Sequence, residues 1–139
     1  MAHWERLSNF HAVYYRDSAG REPVREFIDA LDEEVQAALE NQVDRLNLLR
    51  DELPHLPFPH SSQVEGELRE LRCHYGRQHY RVLYRRSERL LLLLHIFRKR
   101  TAKTSEREIA TAQERWEDFK ARMDAERRLP PRAAGHDAP

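Results

Sequence analysis

The chain has 139 residues and a single cysteine, Cys73, so it is sized for one domain with its own core, and it holds neither an internal disulfide nor a cysteine zinc cage. The longest apolar run, residues 90–94, ends at His95, well short of the ~18 residues of a membrane span, and residues 1–10 carry no apolar leader core. A soluble, cytoplasmic protein is expected. The formal net charge of zero hides a segregation: residues 17–53 hold eleven acids against four arginines, whereas residues 69–103 hold eleven bases against two acids, Glu70 and Glu88. Such a split points to a polyanionic partner for the basic half. The plainer alternative, mutual neutralisation of the halves across the fold, needs fewer arginines than the chain has.

In chain order, residues 12–16 (Ala-Val-Tyr-Tyr-Arg) read as a first strand ending at the turn signal of residues 17–20. Pro23 suits a first helical position, and Val24, Phe27, Ile28 and Leu31 form one apolar stripe. Asp32 is placed to cap a second helix with Val35, Leu39, Val43, Leu46 and Leu49 on one face, packed antiparallel to the first. Pro54, Pro57 and Pro59 stop it and hold an irregular loop through Ser62. Residues 68–75, 79–86 and 90–97 read as three hairpin-linked strands, with turns at Gly76-Arg77 and Ser87-Glu88-Arg89. Thr104 or Ser105 caps a last helix whose stripe is Ile109, Ala112, Trp116, Phe119 and Met123. Residues 129–139 read as a disordered tail, outside a single domain of residues 1–128. The expected class is α+β in the order β-α-α-β-β-β-α, with a small, largely antiparallel sheet, two N-terminal helices and a C-terminal helix.

No phosphate-cradling glycine loop is present, the histidines lack ligand spacing, and no metal or other cofactor is expected. The remaining chemistry lies in the arginine pattern. Arg72 and Arg81 alternate with apolar residues on adjacent strands, so they project from one sheet face beside Glu70, and Phe97 and Lys99 end the last strand at matching parity. Arg69, Arg98, Arg100 and Lys103 are further candidates for contacts to a nucleic-acid backbone. Arginine forks match phosphate oxygens, and an aromatic among them can stack on an unpaired base. Such a set suits RNA cleavage, in which a 2′-hydroxyl attacks the adjacent phosphate and cations neutralise the developing charge. Arg72, Arg81 and Lys99 take the charge role; Glu70 is the first candidate for the general base and His95 the second. Arg85, Arg86 and Arg89, at a turn, read as solvated bystanders.

Several segments resemble the phage-derived, HigB-like toxins of the RelE/ParE superfamily. They are Tyr14-Tyr15-Arg16-Asp17 through Leu31, Gly66-Glu67-Leu68-Arg69-Glu70-Leu71-Arg72, Tyr80-Arg81-Val82-Leu83-Tyr84, and residues 93–104. Together they span residues 12–122 in the family's order. The resemblance implies a RelE-like fold and an mRNA interferase acting on the translating ribosome, with a cognate antitoxin, a helix-turn-helix protein, as partner. It also implies RNA contacts by Arg72, Arg81, Phe97, Lys99 and Lys103. Arg98-Lys99-Arg100 stands where relatives often carry two lysines, so the charge is kept while the identity of acid and base is not. Two other classes compete: a ParE-like gyrase poison, and a non-catalytic RNA- or ribosome-binding module.

Overall fold

The computed structural model describes residues 9–125 and 133–135. Its elements are β1 (His11–Tyr14), α1 (Pro23–Asp29), α2 (Glu33–Leu46), β2 (Ser61–Glu65), β3 (Leu68–Tyr75), β4 (Gln78–Ser87), β5 (Leu90–Arg98) and α3 (Glu106–Ala125). The strands form one sheet in the order β1-β5-β4-β3-β2, parallel between β1 and β5 and antiparallel elsewhere. The α+β class and the three consecutive hairpin strands match expectation.

One strand was not legible in the sequence. Residues 61–65 (Ser-Ser-Gln-Val-Glu) offer a single β-branched apolar residue, Val64, yet they pair with β3 from Ser61↔Leu71 to Glu65↔Leu68. The signal lies in the turn: Gly66 takes φ +57°, a left-handed conformation that glycine adopts without steric cost and that suits a tight hairpin. The last two residues of the expected loop, Ser61 and Ser62, therefore begin the strand that forms the sheet's second edge.

Helices cover both faces of the sheet. On one side Val24 and Ile28 of α1, and Val35, Leu39, Val43 and Leu46 of α2, bury against Ala12, Tyr14, Leu71, Val82, Leu93 and Ile96. Leu49, just past α2, joins them. On the other, Ala112, Trp116 and Phe119 of α3 bury against Val13, Leu83, Leu92 and Leu94. The apolar stripes read from the sequence are thus the core-facing stripes, except that Met123, the last member of the α3 stripe, is exposed. The two N-terminal helices pack chiefly on the sheet, α1 on β5 and α2 on β3, rather than chiefly on one another.

A bulge in β5 sets which way its end faces. Leu83 pairs with His95 but Tyr84 pairs with Leu93, so Leu94 is an extra residue. Before it, Leu91 and Leu93 face α1 and α2; after it, Ile96 does, while His95 bonds to α3. A second difference concerns the tail. Residues 133–135 lie against β1: Val13 bridges Ala133, the Ala134 N–H donates to Ala12 O at 2.7 Å, and Ala134 is buried. The rest of the expected tail, residues 129–132 and 136–139, lies outside the described residues.

Candidate nucleic-acid interface

β3, β4 and β5 bring the expected site residues into two neighbouring rows across the sheet. Arg72 pairs with Arg81, which pairs with Phe97; one step along, Glu70 pairs with Leu83, which pairs with His95. Two like charges directly opposite one another repel. Glu70, only 5% exposed, answers that repulsion from the same face. Its Oε2 lies 2.9 Å from Arg72 Nε and 3.5 Å from Arg81 Nε, and it accepts the Ser62 hydroxyl at 3.2 Å. Its Oε1 accepts the Thr104 hydroxyl at 3.1 Å, and Thr104 in turn accepts from Lys99 Nζ at 3.2 Å.

These groups line a cleft of about 240 Å³ between the sheet and the start of α3, with Lys103 and Ile109 on its rim. Arg81 is the most enclosed of its cations, its side chain only 12% exposed. Its Nε is buried and makes no hydrogen bond among the described residues, the 3.5 Å approach to Glu70 being an ion-pair contact only. Burial pushes the Arg81 pKa below its ordinary value, with Arg72 acting in the same sense and Glu70 opposing. Lys99 is also pushed below its ordinary value, by burial first and then by Arg81 and Arg72, against the pull of Glu70. In this cleft one carboxylate, Glu70, stands among four cations, Arg72, Arg81, Lys99 and Lys103. The arrangement has a place for an anion: an under-satisfied guanidinium in a desolvated site binds oxyanions far more strongly than the same group in water.

The remaining sequence candidates separate. Glu70 is at the centre, but both its oxygens are engaged, so it anchors the cations rather than standing free as a base. His95 and Phe97 share the α3 side of the sheet and stack at 5.6 Å, yet neither lines the cleft. The His95 Nε2 bonds Glu108 at 2.7 Å and its Nδ1 meets Arg115 at 3.3 Å, while Phe97 packs against the α3-side core and is not an open stacking platform. Arg69 pairs with Tyr84 and faces the opposite side, beside His55 and Arg86. Its position directly after Leu68 carried that signal, since neighbours on a strand point to opposite faces. Arg98 and Arg100 are exposed and outside the cleft lining. The turn arginines, read as solvated bystanders, are packed instead: Arg86 and Arg89 lie over the Phe10 ring at 4.2 and 4.4 Å, and Arg89 pairs with Asp51 at 2.9 Å. Arg85 lies over Trp116 at 4.3 Å. Ser62 and Thr104, which tie the cluster to β2 and to the approach to α3, were not singled out for the site, because their roles depend on contacts between distant segments.

An α+β domain with helices on both sheet faces and a cationic cleft under its C-terminal helix is thus the class that fold and site define. It is consistent with a small RelE-like fold. The family model described as Phage derived protein Gp49-like (DUF891) matches residues 26–117, and the chain belongs to that family. The family is associated with the toxins of toxin–antitoxin systems, which implies an antitoxin partner. No curated protein matches the chain. Among the described residues, no helix is long and apolar enough to cross a membrane and no group of three or more His, Cys, Asp or Glu residues could hold a metal ion.

Proposed function

We propose that the chain is the toxin of a type II toxin–antitoxin pair and cleaves mRNA, with the scissile phosphate in the Glu70–Arg72–Arg81–Lys99 cleft. The observation that carries this reading is Arg81, its side chain only 12% exposed, with an Nε that makes no hydrogen bond among the described residues, in a cleft where four cations meet one carboxylate. The 2′-hydroxyl gives up its proton to solvent water and attacks the adjacent phosphorus while the P–O5′ bond breaks, leaving a 2′,3′-cyclic phosphate and, once the 5′-oxygen is protonated, a 5′-hydroxyl end. Arg72 and Arg81 stabilise the charge that builds on the phosphoryl oxygens. Lys99, whose ammonium is made more acidic by burial, delivers the proton to the leaving 5′-oxygen. Glu70 is a positioning residue that holds both arginines against their mutual repulsion. The route needs no metal ion, the translating ribosome presents the message, and a helix-turn-helix antitoxin is the partner.

Expression of the chain is expected to halt translation and generate new mRNA 5′ ends. Arg81→Ala is expected to lower the cleavage rate roughly 10²–10³-fold, the effect typical of removing one preorganised donor to a developing oxyanion. Arg72→Ala/Arg81→Ala should abolish toxicity in a chain that still folds. Intact transcripts together with an SOS response would instead identify a gyrase poison, and full toxicity in the double variant would remove the cleft from the mechanism.

A further inference from the structure

Arg72 and Arg81 line a second cleft as well, of about 430 Å³, where α2, the loop before β2 and the β3–β4 hairpin meet. To them it adds Gln42, Arg45, His60, His74 and His79, and among the described residues no acidic one lines it. That volume lies within the ~300–1,000 Å³ of pockets that hold small ligands. The cleft sits where β2 pairing stops at Ser61, and the next edge groups of β3 are taken up locally: the Arg72 N–H donates to His60 O at 2.8 Å and Gln42 Nε2 donates to Arg72 O at 3.0 Å. The same Gln42 nitrogen contacts His60 Nδ1 at 3.0 Å. Because an amide nitrogen can only donate, His60 Nδ1 accepts, and the neutral ring carries its proton on Nε2 as a donor. Arg45 is exposed and engaged by none of the described ion pairs. Phe58 is outside the lining but adjoins it through Pro59 and Arg72; it is 70% exposed, and the Arg72 guanidinium lies over one face of its ring at 4.8 Å from the centroid.

We infer that this cleft is a second subsite for single-stranded RNA, continuous with the first through Arg72 and Arg81, in which Phe58 stacks an unpaired base and Arg45 and His60 meet the adjoining backbone. The inference rests on the ribonuclease reading of the first cleft and extends it to the nucleotides beyond the scissile phosphate. Charge favours the assignment, since only cationic and neutral groups line the cleft. The aromatic favours a single strand over a duplex: a large apolar ring left in solvent beside an arginine offers a face to a splayed-out base, which a duplex keeps stacked inside.

The test uses the full chain and a fluorescein-labelled, 2′-O-methylated RNA octamer, which cannot be cleaved because the attacking hydroxyl is blocked. Phe58→Ala is expected to weaken binding about tenfold, the scale of one lost base stack. Arg45→Glu should weaken it comparably and flatten its salt dependence. Both side chains are exposed, so unchanged thermal melting checks that the variants fold. Undiminished octamer affinity in Phe58→Ala/Arg45→Glu, alongside lost affinity in Arg72→Ala/Arg81→Ala, overturns the second subsite and leaves the first cleft standing. If the unaltered protein fails to bind the octamer, this inference falls, while the ribonuclease reading, in which the ribosome presents the message, stands or falls on the new mRNA 5′ ends.

Discussion

Glu70 and Arg81 set the energetics of the site between them. A carboxylate is seldom buried unless paired, and here burial is matched by Arg72, Arg81, Ser62 and Thr104 on its two oxygens. Glu70→Gln keeps the shape of the side chain but leaves two opposed guanidiniums with no counter-charge. Breaking a fully buried ion pair costs about 3–5 kcal/mol. Arg72, with a third of its side chain exposed, recovers some of that through solvent. The expected loss is roughly 2–3 kcal/mol in urea unfolding at neutral pH. The loss should shrink when Arg72→Ala is added, because the remaining Arg81 then has no neighbour to repel it. A Glu70→Gln protein as stable as the parent would show that water, not the carboxylate, screens the two arginines. The same chemistry bears on Cys73, whose thiol burial pushes its pKa up to about 12, so it adds no nucleophile to the site.

At the scale of elements, α3 is pinned to the sheet by polar contacts as well as by Trp116 and Phe119. Tyr15 donates to Asp118 at 2.6 Å, Arg115 donates to Leu94 O at 2.8 Å, and His95 bonds Glu108 while accepting from Arg115. That last pairing fixes His95 neutral with its proton on Nε2, and burial pushes its pKa below the ordinary 6.5, against the opposing effect of the hydrogen bond it donates to Glu108. Above 6.5 folded and unfolded chains both hold His95 neutral; as pH falls below that value the unfolded chain takes up a proton that the folded chain resists, and stability is lost. His95→Gln should therefore lose less stability than the parent between pH 7.5 and 5.5 in paired urea titrations, and an equal loss in both would mean that His95 does not feel its burial. None of this contact set was legible from residues 93–104, because the bulge at Leu94 depends on how β4 and β5 pair. The stripes of α2 and α3 and the alternation of β3 and β4 were legible, since period and burial are properties of one segment. That alternation placed Arg72 and Arg81 on one face with Glu70. Phe58 and β2 were not legible, because each acquires its place from β3, a strand that follows them in the chain.

Across the whole molecule, the acidic and basic halves do meet, but at the end of the sheet away from the cleft. Asp51 takes Arg89 at 2.9 Å and Arg86 at 3.8 Å, while the cleft cations turn to Glu70, an acid of their own half. The far edge of the sheet, β1, has a different cover. Asn47 holds β1 and the tail together, accepting from the Ala12 N–H at 2.8 Å and donating to Ala134 O at 3.0 Å. Gly135 follows at φ +103°, where a Cβ would run into the Asp44 carboxylate and the Asn47 amide. An uncovered edge strand exposes unpaired backbone groups that template association with another chain. Removing residues 129–139 should thus cost about 1–2 kcal/mol for the lost hydrogen bonds and the burial of Ala134. For a chain of this size that is a fall in Tm of roughly 3–6 °C, with concentration-dependent light scattering at the β1 edge. Gly135→Val in the full-length chain should reproduce the lower Tm, by strain at that φ and by the clash with Asp44. RNA cleavage below the melting temperature should be unchanged in both, because β1 lies at the opposite edge from β2 and β3. Parent-like melting in both variants would mean that the edge needs no cover from the tail. Lost cleavage in chains that remain folded would instead tie the tail to the site.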